Sequence, residues 1–199
     1  MSAMSAMRAM RAPRARARAE GALPTVRLAR RTGAAGATLL GLALLGPALP
    51  AAHADAATWT QRIITPELAL RAAQAAKAEC AKRGWQVSVA VSDPAGLPLV
   101  MLRDRYAGWH TVAAAEGKAR TAASWRQPTD AVAARVDQPG APEQAIKNLP
   151  GVVMIGGGAP IEAAGQMVGA IGVSGAPGGD NDTICAQAGL DAIADALAF

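Results

Sequence analysis

The chain from residue 60 onward begins with a helical pattern of small side chains. Thr65 suits a helix N-cap, Pro66 suits the first helical position, and Glu67 suits the positive end of the helix dipole. Small residues then recur three or four positions apart, as on one face of a helix: Ala69, Ala72, Ala73, Ala76 and Cys80. Gly84 ends the pattern. We predict a helix that buries one narrow face.

The next two apolar stretches are predicted to be strands. Residues 87–91 alternate in the manner of a half-buried strand, and residues 97–102 form a second apolar stretch. Between them, the segment Asp93-Pro94-Ala95-Gly96 places Pro and Gly where a tight turn needs them. This arrangement predicts a β-hairpin.

The rest of the chain continues to alternate between helical and extended patterns. The predicted elements are a helix at about 110–123, a short helix after Pro128, buried strands at 152–155 and 167–173, a short strand near 160–161 and a last helix from about Asp180. Hairpin-connected strands grouped between helices are typical of an α+β fold with an antiparallel sheet.

The net charge is distributed very unevenly. The 199 residues carry a formal charge of +5, which at first suggests an anionic partner such as nucleic acid. Residues 1–54, however, hold eight arginines and one acid, whereas residues 55–199 hold 12 basic and 14 acidic residues. The globular part is therefore mildly acidic and lacks basic runs with interleaved aromatics, so we predict no nucleic-acid partner.

The basic head has the order of a secretory signal. An uncharged apolar run at residues 34–46 follows the arginines, and Ala52-His53-Ala54 provides a small-x-small cleavage site. We predict a signal peptide over 1–54, a short linker over 55–62 and one domain over 63–199, in a periplasmic or secreted protein with no stable membrane span after cleavage. An uncleaved anchor is the alternative, although the run is short for a bilayer. Arg30-Arg31 leaves the Sec and twin-arginine routes both open.

The two cysteines allow two interpretations. Cys80 and Cys185 each fall on a predicted terminal helix, and in an oxidising compartment they could pair and close a long loop. Two buried thiols would fit the same small-residue faces equally well. The spacing alone leaves both possibilities open.

His110, the single histidine after residue 54, opens the second predicted helix. One face of that helix carries Ala115 and Ala119 and is expected to be buried, while the opposite face is small and is expected to be open: His110, Ala114, Gly117 and Thr121. On an open face, Gly117→Leu would leave the fold intact.

This open stripe suggests a flat ligand with acidic substituents. Trp109 and Trp125 flank the stripe, and Lys118 and Arg120 are donors for carboxylates. These features suit haem, with His110 as axial ligand to the metal. The alternative is a subunit interface at which His110 merely caps the helix.

Several separate segments, in order, resemble the GlcG/HbpS-type haem-binding family, also called the haem-degrading domain family. They include GWQVSVAVSD (84–93), GWHT (108–111), KARTA (118–122), GGGAPI (156–161) and VGAIGVSGAP (168–177). The resemblance covers about residues 63–198. It implies a profilin-like three-layer α/β/α domain with a five-stranded antiparallel sheet, binding of haem or another small molecule, and a homo-oligomer.

Pattern and resemblance together give one set of candidate residues. By resemblance, His110 occupies the family's helix-start position, and Lys118 matches a recurrent lysine. The candidate haem-binding residues are His110, Lys118, Arg120, Thr121, Gly117 and Trp109, with His110 as the metal ligand.

The favoured function is that of an exported haem- or tetrapyrrole-binding protein in haem handling or redox sensing. One alternative is an enzyme that degrades haem or acts in a small-organic-acid pathway, and another is a non-binding structural oligomer of the same fold. Catalysis is the weaker case, because a single histidine has no evident acid–base partner.

Overall fold

The secondary-structure elements follow the predicted order closely. A computed structural model describes residues 58–198, so the predicted signal peptide and the first part of the linker lie outside the described residues. The elements are α1 (Pro66–Lys82), β1 (Ser88–Ser92), β2 (Pro98–Arg103), α2 (His110–Trp125), α3 (Thr129–Val136), a 3₁₀ helix (Pro142–Asn148), β3 (Gly158–Ala163), β4 (Gln166–Ser174), α4 (Gly179–Asp191) and α5 (Ala194–Leu197).

Helix α1 is formed as its sequence predicts. The Thr65 hydroxyl accepts a hydrogen bond from the Leu68 N–H at 3.3 Å, and Pro66 occupies the first helical position. All five small residues of the predicted face are buried: Ala69, Ala72, Ala73, Ala76 and Cys80. Their size lets the helix axis approach its neighbours closely.

The four strands form one antiparallel sheet in the order β2-β1-β4-β3. The predicted hairpin is confirmed, because β1 pairs with β2 across the turn that begins at Asp93. The Asp93 carboxylate closes this turn by accepting hydrogen bonds from the N–H groups of Ala95 and Leu97, each at 2.9 Å.

The sheet is covered by helices on both faces. The larger core joins side chains such as Val89, Val91 and Ile171 to the small faces of α1 and α4. On the other face, Ala90 packs against α2. Gly172 makes this approach possible, since a Cβ there would lie only 2.1 Å from the Ala115 carbonyl oxygen. The result is a three-layer α/β/α arrangement of an α+β fold.

Two details of the predicted sheet differ from the structure of residues 58–198. The sheet in residues 58–198 has four strands, whereas the resemblance implied five. The prediction of a strand at 152–155 is wrong. The Val153 N–H donates to the Thr121 hydroxyl at 2.9 Å rather than to a neighbouring strand, and the backbone turns at Gly151 and Gly157, which have positive φ.

The two cysteines form a disulfide. Cys80 of α1 and Cys185 of α4 are bonded, with Cα atoms 5.5 Å apart, and both residues are fully buried. Of the two interpretations that the sequence left open, pairing is the correct one. The bond fastens together the two helices that cover one face of the sheet.

None of the helices within residues 58–198 is long and apolar enough to cross a membrane.

Candidate functional site

A cleft of about 620 Å³ opens at the end of the sheet where β1 begins and β4 ends. Its walls include the connection between α1 and β1, the segment after β2 with Tyr106, the start of α2 with His110, the segment with Val153 and Ile155, and the glycine-rich turn between β4 and α4. Lys118 and Asp182 also line it. The volume lies within the range of about 300–1,000 Å³ that is usual for small-molecule sites.

His110 presents an exposed imidazole to this cleft from the first position of α2. The Trp109 ring lies edge-on to the imidazole, with the two ring centroids 6.0 Å apart. Among residues 58–198, neither ring nitrogen has a hydrogen-bond partner. A neutral imidazole without a partner is available as a ligand for a transition metal.

The chain just before His110 is held firmly. The Thr111 hydroxyl donates to the Gly108 carbonyl at 2.7 Å, and the Ser88 hydroxyl of β1 lies 2.8 Å from the same Thr111 oxygen. Upstream, the buried Asp104 carboxylate accepts from the Val87 N–H at 3.0 Å. These bonds tie the segment that carries His110 to the end of the sheet where β1 begins.

A buried ion pair lies behind the cleft. The Lys118 ammonium of α2 is 2.6 Å from the Asp182 carboxylate of α4, and the two side chains are only 3% and 5% exposed. Lys118 also donates to the Val173 carbonyl at 2.9 Å, and Asp182 accepts from the Ala176 N–H at 2.9 Å. Burial raises the pKa of Asp182 above its ordinary value, and the hydrogen bond from Lys118 opposes that rise. The pair joins α2, β4 and the turn before α4.

Asp182 is a site residue that the sequence analysis did not find. A sequence signal for such a partner exists at Lys118. The positions four residues before and after it on the same helix are Ala114 and Ala122, so neither offers an acid that could pair with the lysine. A lysine on a helix of small residues needs a partner from elsewhere in the chain if it is buried. The sequence does not say which of the acids supplies it.

The stripe predicted to be open on α2 is covered at its C-terminal half. Gly117 and Thr121 are buried, and a Cβ on Gly117 would lie 2.6 Å from a Val153 methyl carbon. The expectation that Gly117→Leu leaves the fold intact is therefore wrong, because the segment around Val153 occupies that space. Ala114, by contrast, lines the cleft with His110.

The remaining candidates lie around the cleft rather than in it. Arg120 lies outside the cleft lining and is paired with Glu116 at 2.8 Å, one helical turn away. Trp109 is 84% exposed and stands beside His110 at the cleft rim. The fold thus brings His110 and Lys118 to one cleft, places Trp109 next to it, and separates Arg120, Gly117 and Thr121 from it.

No group of three or more His, Cys, Asp or Glu side chains within residues 58–198 is arranged to hold a metal ion.

A comparison with protein families decides the relationship. The model for haem degrading protein HbpS-like matches residues 64–191. The chain belongs to the HbpS-like family. The resemblance found in the sequence is confirmed, and the α+β fold with its antiparallel sheet matches the fold of solved HbpS structures.

Solved structures and a curated relative agree with this assignment. The HbpS-like chain is 40% identical to a double mutant of HbpS from Streptomyces reticuli, with a TM-score of 0.64, covering 73% of this chain and 97% of that one. It is 26% identical to the PduOC protein solved as a heme complex, with a TM-score of 0.62 and coverages of 66% and 95%. It is 31% identical over 115 residues to Protein GlcG of Escherichia coli, which covers 58% of this chain and 84% of the relative.

Proposed function

We propose that this protein binds haem in the cleft and that His110 would hold the iron. The observation that carries the proposal is the exposed His110 imidazole, which faces a cleft of about 620 Å³ without a hydrogen-bond partner among the described residues. The family description names haem degradation, and the PduOC relative was solved as a heme complex. Both support haem as the ligand class.

The residues around the cleft fit a tetrapyrrole. Tyr106, which is 78% exposed, and Ile155, which is 56% exposed, offer an aromatic and an apolar surface beside His110. Bound haem would supply redox and oxygen chemistry at its iron. The chain's own contribution is to ligate the iron through His110 and to shield the ring from water along these side chains.

The cations predicted to receive the haem carboxylates already have acidic partners. Lys118 is paired with Asp182 inside the protein, and Arg120 is paired with Glu116 on the surface of α2. Their role as propionate partners stays a prediction. A propionate that approaches either residue competes with an existing ion pair. We therefore expect iron ligation by His110 to contribute more to the binding free energy than these contacts do.

We expect His110→Ala to weaken haem binding at least tenfold, which corresponds to about 1.4 kcal/mol, and to shift the Soret band. The measurement is an absorbance titration of the purified protein with haemin. Gln127→Ala, an exposed change just beyond the C-terminal end of α2, serves as the control and should bind like the wild type. An unchanged spectrum and affinity in His110→Ala would refute the proposal.

The same titration separates binding from degradation. A stable Soret band after addition of ascorbate or peroxide assigns a binding protein. A protein-dependent loss of that band over time assigns a haem-degrading enzyme, for which His110 is the residue that holds the substrate's iron.

The proposal includes export and self-association. Disulfides persist in oxidising compartments, so the Cys80–Cys185 bond supports a periplasmic or secreted protein. Large side chains left exposed beside the cleft, such as Trp109, support a homo-oligomer that covers them.

We expect the extracytoplasmic protein to begin at Asp55, because the predicted signal ends at Ala54. Intact-mass measurement of that fraction decides it, and a soluble exported product that retains residues 1–54 would contradict cleavage.

A further inference from the structure

Gly108 has no side chain, and the His110 imidazole lies in the space that a side chain at position 108 would occupy. A Cβ added to Gly108 would be 2.7 Å from His110 Cε1, which is closer than real Cβ atoms approach, and 3.0 Å from Nδ1, which is tighter than most real Cβ contacts. The φ angle of Gly108 is not positive, unlike that of eight other glycines in residues 58–198. Its backbone conformation is therefore open to alanine, and a side chain at this position would meet the imidazole of His110 in its present orientation.

The backbone at Gly108 is fixed, so the ring is the part that must yield to a larger side chain. The Gly108 carbonyl accepts hydrogen bonds from both the Thr111 N–H at 3.0 Å and the Thr111 hydroxyl at 2.7 Å. Thr111 is itself buried against Ser88 of β1. The imidazole, in contrast, is exposed and free to change rotamer, and such changes occur in steps of about 120°.

We infer that Gly108 is a positioning residue that sets the direction in which His110 offers its imidazole to the iron. This inference rests on the proposed function and deepens it. A methyl group at position 108 displaces the ring from its place against the backbone, so the ligating nitrogen leaves the direction it has in the cleft. Affinity and iron coordination change while the fold stays intact.

The first test needs no haem. The sequence holds two histidines, His53 and His110, so comparison with His110→Ala assigns the imidazole proton signals of His110 in an NMR spectrum of the full chain. We expect a nuclear Overhauser contact between the Hε1 proton of His110 and the Hα protons of Gly108. In Gly108→Ala the His110 Hε1 signal should shift, because the ring moves relative to the neighbouring Trp109 ring.

The second test uses haemin with the same variants. Gly108→Ala should weaken binding about tenfold with an unchanged unfolding temperature. In a His110→Ala background, Gly108→Ala should add less than a twofold effect, since there is no imidazole left to displace. Wild-type affinity in Gly108→Ala, combined with weakened binding in His110→Ala, overturns the inference and leaves the proposed function standing. If His110→Ala does not affect haem binding, the proposed function fails. In that case the NMR spectrum tests only whether Gly108 sets the orientation of the His110 ring. A shift of the His110 Hε1 signal in Gly108→Ala supports that role, and an unchanged signal overturns it.

Discussion

Replacing both Cys80 and Cys185 with alanine should lower the free energy of unfolding by about 4–5 kcal/mol. The disulfide closes a loop over a sequence separation of 105 residues, and a cross-link of that length removes much of the conformational entropy of the unfolded chain. A loss of that size is a large fraction of the stability of an ordinary domain. Urea unfolding followed by circular dichroism measures it.

The single variants show whether the loss comes from the cross-link or from packing. Cys80→Ala alone should cost nearly as much as the double replacement, because either change removes the same bond. Adding reductant should destabilise the wild type and leave the double variant unchanged. If the two single variants each cost half of the double, or if the total loss is below about 1 kcal/mol, the cross-link is not the source of the stability.

Lys118→Met should cost about 3–5 kcal/mol of folding stability, because it leaves the Asp182 carboxylate buried without its cation. The loss should depend on pH. The pKa of Asp182 is already raised by burial, so the folded chain binds a proton more readily than the unfolded chain, and stability falls as the pH rises from the unfolded-state pKa towards the folded-state pKa. Removing Lys118 removes an interaction that lowers the pKa of Asp182, so the pH range over which stability falls becomes wider. Denaturation at pH 5 and pH 8 should show the larger loss at pH 8.

A second replacement provides the control for Lys118. Lys118→Met combined with Asp182→Asn removes both charges and keeps an oxygen that can accept from the Ala176 N–H. This double variant should recover most of the stability and lose the extra pH dependence, because a neutral buried pair carries no uncompensated charge. Equal losses at both pH values in Lys118→Met, or a double variant that is less stable than either single, would contradict this account.

The parts of the fold that follow from neighbouring residues were predictable from the sequence. The start and buried face of α1 depend on Thr65, Pro66 and a repeat of small residues within one helix. The hairpin depends on the turn that Asp93 begins. In each case the chemistry that decides the structure lies within a few positions along the chain, so the local pattern and the final structure agree.

The parts that depend on contacts between distant segments were not predictable in the same way. The small residues Gly117 and Thr121 indicated a surface that something approaches closely, and Val153, more than 30 positions later, is what approaches it. The apolar run at 152–155 has the composition of a strand. Its Val153 N–H nevertheless donates a hydrogen bond to the Thr121 hydroxyl on α2 instead of to a neighbouring strand. Likewise, Lys118 required an acid, but only the folded chain brings Asp182 to it. His110 was proposed from the sequence as the single histidine after residue 54, and the structure places it in the cleft.

The walls of the cleft consist mainly of connections between elements, whereas the Lys118–Asp182 pair links two helices behind them. Four connections contribute to these walls: the one between α1 and β1, the one between β2 and α2, the one that leads into β3, and the one between β4 and α4. Such connections tolerate insertions and exchanges better than core strands do. The lining of the cleft can therefore change through these loops, while the ion pair and the disulfide of this chain hold in place the helices that carry them.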